Sequence, residues 1–250
     1  MAGHSHWAGI KHKKALVDAK RGKEWSRLSK AIIVAAKMGG GDPDTNFRLR
    51  TAIDDAKAAS VPKDNIARAI KRGTGELDGG NLDETLYEGY GPGGVAVLCE
   101  VLTDNRNRTA AEVRKIFEAA DGKLGSSGCV AWMFEKKGLF LVHIDKIDED
   151  TLMEVALEAG ADDVRRVGDN YEVTCEPGDY QVVSHVLEEA GIKPEVSQIT
   201  LIPKDTVDLD APNARKVLKL MENLDDHDDV QSVSSNFNIP DDVMAEIGEE

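Results

Sequence analysis

No apolar run in this 250-residue chain approaches the roughly 20 residues that a membrane-spanning helix needs. The sequence therefore predicts no bilayer segment. The opening stretch Met1–Trp7 lacks an apolar core, which argues against a secretory signal. Cysteine is scarce. Cys99, Cys129 and Cys175 are odd in number, far apart and set among apolar residues. That pattern excludes a disulfide framework and paired zinc spacing, and it predicts reduced thiols in a cytoplasmic protein. Aromatic residues make up only 5% of the chain, so its cores must be aliphatic.

Groupings that carry catalysis are also missing. Ser126-Ser127-Gly128-Cys129 lacks the strand–turn–helix setting of a nucleophile elbow. The glycines of Gly73-Thr74-Gly75 follow an expected helix, and those of Gly91-Pro92-Gly93-Gly94 precede an expected strand. A phosphate-cradling loop needs the reverse order, so both read as linker and turn. His4, His6 and His12 have no cysteine or acidic ligand close by, which makes a metal site a poor fit. The sequence predicts a protein with no enzymatic activity, no cofactor and no metal.

Charge is abundant and uneven. The net charge is -15, but residues 1–75 hold 16 Lys and Arg against 7 Asp and Glu, a local +9. The rest holds 15 against 39, a local -24. Such a molecule offers one cationic end to a polyanion and repels it elsewhere. The bland alternative is a solvated helix face. The expected phosphate contacts are Lys11, Lys13, Lys14, Lys20, Arg21, Lys23, Arg27 and Lys30, with His6, Trp7 and His12 offering flat faces to unpaired bases. Arg106 and Arg108 fall near the expected start of a helix, where free N–H groups favour an anion. They are auxiliary phosphate contacts or partners of the domain's own carboxylates. No helix carries the regular Asn, Gln and Arg pattern that reads base edges.

Periodicity divides the chain. Residues 1–22 read as a basic arm that is poorly ordered or orders on binding. Trp25, Leu28, Ile32, Ile33 and Ala36 mark one helix, and Phe47, Leu49, Ile53 and Ala56 a second. A third opens at Pro62 and stops at Lys71-Arg72-Gly73. Beyond the glycine-rich linker 73–80, strands are expected at 95–102, 128–134, 139–144, 164–167, 171–175, 196–202 and 230–237. Helices are expected at 110–120, 151–159 (capped by Asp148), 180–190 and 211–224. The first βαβ run (94–134) and the last (196–237) would share a sheet around a middle block (138–192). The acidic run 225–229 reads as a solvated turn. The chain is thus an α+β protein, an N-terminal helical bundle followed by two ferredoxin-like α+β domains, one inserted in the other. Domain boundaries fall at 1–78, at 79–134 with 204–240, and at 135–203.

Four segments carry a family resemblance: MAGHSHWAGIKHKKALVDAKRGKEWSRLSKAII (1–33), FRLRTAIDDAKAASVPKDNIARAIKRGTGE (47–76), LYEGYGPGGVAVLCEVLTDNRNRTAAEVRKIF (86–117) and GSSGCVAWMFEKKG (125–138). Together they resemble the YebC family. The resemblance implies a three-domain cytoplasmic protein, with the third domain inserted in the second, and a role in gene regulation. It implies a DNA-binding transcriptional regulator first. A second implied role is a ribosome-associated translation factor that contacts ribosomal RNA and relieves stalling at proline-rich stretches. Mitochondrial relatives are translational activators. No catalytic residues or cofactors come with the resemblance.

Overall fold

A computed structural model describes residues 21–77 and 82–248. Of the expected arm and its contacts, His6, Trp7, Lys11, His12, Lys13, Lys14 and Lys20 lie outside the described residues. Among the described residues, no helix is long and apolar enough to cross a membrane.

The basic segment folds as three helices: α1 (Arg21–Gly39), α2 (Phe47–Ala58) and α3 (Lys63–Gly73). Their apolar stripes converge on Ile32, Ala36, Leu49, Ile53, Ile66 and Ala69. Asn46 closes the turn between α1 and α2. Its side-chain oxygen accepts from the Leu49 N–H at 3.1 Å, and its amide donates to the Ala35 and Gly40 carbonyls, each at 2.8 Å. A buried asparagine with three partners satisfies both helix ends at once. At the other end, the Trp25 indole donates to the Ala59 carbonyl at 3.0 Å.

Helix α3 lies almost backbone to backbone on α1. A Cβ added at Gly73 would sit 2.4 Å from the Ile33 carbonyl oxygen and 2.6 Å from the Ala36 Cβ. Neither neighbour is a flexible side-chain end, so Gly73→Ala must push the helices apart. We expect that substitution to destabilise the helical domain by about 1–3 kcal/mol, as overpacking does. Thermal unfolding followed by circular dichroism measures it, and an unchanged midpoint would contradict the close packing.

The first sheet comprises β1 (Asp83–Tyr90), β2 (Ala96–Thr103), β3 (Lys123–Leu124) and β9 (Val230–Ser235), in the order β3-β1-β2-β9. Every pairing in it is antiparallel. Helices α4 (Arg106–Ala119) and α7 (Ala211–Asp225) cover one face. There Val97, Cys99 and Val101 meet Val113, Phe117, Val217, Leu220 and Met221. The alternate residues Ala96 and Leu98 pack on Val130 and Phe134 across the other face. With both faces covered, β2 reads as an apolar run rather than an alternating one. Burial pushes the Cys99 thiol well up, so it stays a thiol.

The second sheet comprises β4 (Phe134–His143), β5 (Ala161–Val167), β6 (Asn170–Cys175) and β7 (Val196–Pro203), in the order β5-β6-β4-β7. Helix α5 (Glu149–Glu158) follows β4 and α6 (Tyr180–Glu189) follows β6, which makes the βαββαβ order of a ferredoxin-like unit. Asp148 caps α5, accepting from the Thr151 N–H at 2.9 Å. The unit sits in sequence between β3 and the short strand β8 (Val207–Asp208), which pairs in parallel with β10 (Phe237–Asn238). A last helix, α8 (Asp241–Gly248), ends the described chain.

Three expectations change. Residues 128–134 do not form a strand. A short turn occupies Ala131–Met133, and the strand starts at Phe134 and absorbs the one expected at 139–144. Strand β7 pairs with β4, not with the strands of the final block. The first sheet has a hairpin, β1 and β2, at its centre, so its order differs from that of the second.

Candidate nucleic-acid interface

Lys23, Arg27 and Lys30 recur at helical spacing and share one face of α1. That face meets the corner where α7 ends and β9 begins. Lys23 Nζ lies 3.5 Å from Asp226, Arg27 Nη1 3.3 Å from Asp225, and Lys30 Nζ 2.8 Å from Asp229. Arg27 also donates to the Asp225 carbonyl, and Lys30 to the Asp228 carbonyl at 3.0 Å. Burial, and then the neighbouring Arg27, lower the Lys23 pKa against the pull of Asp226. The supposed solvated turn is therefore the docking site of the helical domain. A second inter-domain pair, Arg48 with Glu84 at 2.8 and 3.0 Å, flanks it on β1.

Asp229 is the centre of this corner and is nearly inaccessible. One carboxylate oxygen accepts from Lys30. The other accepts from Thr103 at 3.0 Å, Arg108 at 2.7 Å and Thr109 at 2.8 Å. Burial pushes its pKa up, but the donors Lys30, Arg108 and Thr109 outweigh burial and hold it well below the usual carboxylate range. Arg108 also pairs with Asp104 at 2.9 Å, and Arg106 with Asp83 at 3.3 Å. Asn105 caps the start of α4, its side-chain oxygen accepting from the Arg108 N–H at 3.1 Å.

Lys23, Arg27, Lys30, Arg106 and Arg108 are thus each matched to a carboxylate of the protein, which for Arg106 and Arg108 is the second of their two expected roles. The neighbouring cleft suits a polyanion no better. Glu112, Asp226, Asp228 and Asp229 line it beside Arg108, Lys115 and His227. Among the described residues no cluster of His, Cys, Asp and Glu could hold a metal ion.

A different surface of the helical domain carries free charge. Lys63, Arg68, Lys71 and Arg72 are exposed on α3; at helical spacing Arg68 and Lys71 lie opposite Ile66 and Ala69 with exposed Asp64 between them, and Lys63 and Arg72 fall on the two flanks. Among the described residues they make no ion pair or side-chain hydrogen bond. Elsewhere in this domain Lys37 donates to the Leu82 carbonyl, Arg50 to the Pro43 and Asp44 carbonyls, and Lys57 pairs with Asp54. Lys71 and Arg72 complement the dipole at the C-terminal end of α3. That does not account for Arg68 and Lys63, nor does it neutralise any of the four. The count of 16 basic residues in 1–75 contained this signal. Local reading used Lys71-Arg72-Gly73 only as a helix stop.

The family model for the TACO1/YebC protein N-terminal domain matches residues 5–76, and the model for the TACO1/YebC second and third domain matches residues 82–237. The chain belongs to the TACO1/YebC family. A protein from Desulfatibacillum aliphaticivorans is 56% identical over 98% of this chain and all of its own length. One from Rhodopirellula baltica is 59% identical over 98% of this chain and 100% of its own. Both are named probable transcriptional regulatory proteins. The crystal structure of a conserved hypothetical protein from Aquifex aeolicus, 49% identical, covers 94% of this chain and 98% of its own, with a TM-score of 0.84. Within this TACO1/YebC chain, the N-terminal domain thus carries both basic surfaces. One is bound to the second domain through Asp225, Asp226 and Asp229, and the other, on α3, is open.

Proposed function

We propose that this TACO1/YebC chain is a non-enzymatic cytoplasmic regulator of gene expression that binds nucleic acid along its phosphate backbone. The contact centres on Arg68 and Lys71 on the outer side of α3, with Lys63 and Arg72 at its two edges, and is extended by the basic positions that precede α1 in sequence. The observation that carries this reading is the set of four exposed cations that make no ion pair among the described residues, in a chain whose remainder is strongly acidic. Repulsion by the acidic domains orients the complex, leaving the helical domain toward the polyanion. The names of the curated relatives favour duplex DNA and transcription.

The second reading is ribosomal RNA on the ribosome, where the protein would relieve stalling at proline-rich stretches. It is favoured by the sequence of the N-terminal arm, where His6, Trp7 and His12 supply flat side chains of the kind that stack on unpaired bases. Binding to duplex DNA and co-sedimentation with ribosomes, compared at physiological and raised salt, separate the two. The transcription reading expects duplex binding with a salt slope of about -3.6 or steeper for four or more phosphate contacts. Ribosome association that persists while duplex binding vanishes would replace it with the second reading. Absence of both would overturn the proposal.

A further inference from the structure

The segment Gly125–Met133 is held from beneath by one carboxylate. Glu88, on β1, is almost fully buried, and its oxygens accept from the backbone N–H groups of Gly128 at 2.6 Å, Val130 at 2.8 Å and Ala131 at 2.8 Å. Gly128 adopts φ +84°, a left-handed conformation that glycine tolerates best. A Cβ at Gly125 would lie 2.5 Å from the Cys129 sulfur, so the loop closes tightly on itself. Val130 and Phe134 are buried on either side, anchoring the loop to the first sheet.

Between those anchors Trp132 points outward, 67% exposed, and Tyr90 is 40% exposed. Both rings direct their polar ends to one acceptor. The Trp132 indole donates to the Cys129 carbonyl at 3.2 Å, and the Tyr90 hydroxyl donates to it at 3.1 Å. Their hydrogen-bonding groups are thus occupied, and what they leave open is ring surface. Lys123 lies directly opposite Tyr90 in the β1–β3 pairing, on the same face of the sheet. It is exposed and makes no ion pair among the described residues. From Gly122 to Phe134 it is the one charged side chain, in the part of the chain that is otherwise most acidic.

We propose that Trp132, with Tyr90 and Lys123, is a second nucleic-acid site that stacks an unpaired base of single-stranded RNA. A flat ring with its polar atom already bonded can add affinity only through its face, which every base matches. The adjacent lysine supplies the charge that a phosphate needs, and no carboxylate opposes it within the loop. At 67% exposure the ring is approachable from solvent. The pinning by Glu88 fixes the ring before binding, so little conformational freedom is lost on contact.

The proposal deepens the nucleic-acid reading and rests on it, but the two fail separately, because this site needs unpaired bases and the α3 face needs only phosphates. The test is fluorescence anisotropy of a labelled oligoadenylate RNA, and of a labelled DNA duplex, with the full chain and its variants. Trp132→Ala is expected to weaken RNA binding by about five- to hundredfold and to leave duplex binding unchanged. Trp132→Phe is expected to retain most of the RNA affinity, and Lys123→Ala to make RNA binding less salt-dependent. Circular dichroism confirms that the variants fold, as an exposed side chain implies. Unchanged RNA affinity in Trp132→Ala would overturn the proposal and leave the ring to a protein partner. An equal loss on the duplex, or a Phe variant as weak as the Ala variant, would also overturn it. Loss of duplex binding in α3 variants with intact stacking at Trp132 would bear on the α3 contact alone.

Discussion

Asp229→Ala is expected to destabilise the folded chain by about 3 kcal/mol, because it removes the buried carboxylate that four donors share and leaves two cations beside a site without its charge. Lys30 would keep only backbone carbonyls and Arg108 its exposed partner Asp104, while the Thr103 and Thr109 hydroxyls would keep each other and the backbone of Asn105. For a chain of this size the thermal midpoint should fall by about 6–12 °C. The effect crosses domains, since Lys30 belongs to α1, Arg108 to α4 and Asp229 to the corner before β9. The Asp229 pKa is depressed in the fold, so its stabilisation is fully present above the ordinary aspartate range. It is lost as pH falls below about 4 toward the folded value. The gap between wild type and Asp229→Ala should therefore be widest near neutral pH and should narrow in acid. Differential scanning calorimetry from pH 7 to pH 3 reads both features. A gap that stays constant across that range would show that the carboxylate's charge is not what stabilises the corner.

The α3 face should behave in the opposite way. Arg68→Ala, Lys71→Ala and Arg72→Ala together remove exposed side chains that make no ion pair or side-chain hydrogen bond among the described residues, so stability should change little, by about 1 kcal/mol at most from the lost dipole complement of Lys71 and Arg72. Binding should suffer. Each lost phosphate contact makes the dependence of log K on log salt shallower by about 0.9 on duplex DNA, so three make it shallower by about 2.7. Extrapolated from a common value near 1 M salt, that slope difference is about a hundredfold in affinity at physiological salt. A stable variant with weakened, less salt-sensitive binding separates a binding surface from a merely solvated one.

Short-range patterns were the legible part of this fold. The helical spacing of Trp25, Leu28 and Ile32 marked α1, Asp148 marked the start of α5, and the adjacent strand runs at 164–167 and 171–175 marked the β5–β6 hairpin. Strand β1 escaped because Asp83–Tyr90 carries three acidic residues, and Glu88 among them points inward. Its charge is matched by N–H groups some 40 residues further on, which no local window contains. The same distance problem hid the corner at Asp229. Lys23, Arg27 and Lys30 form a free basic stripe when α1 is read alone, and their partners lie about 200 residues away. Charge counting pointed to the helical domain. Which of its cations are compensated depends on how that domain docks, so the free face on α3 emerges only in three dimensions.

The most direct measurement is the salt dependence of nucleic-acid affinity for three proteins side by side: the wild type, the triple α3 variant and Lys23→Ala. Duplex DNA and ribosomal RNA would each be titrated across a range of salt concentrations. If the open face of α3 meets the phosphates, the triple variant loses slope and affinity, while Lys23→Ala, whose charge is matched by Asp226, retains both. Equal slopes in the wild type and the triple variant, with the loss appearing instead in Lys23→Ala, would contradict this and return the contact to α1.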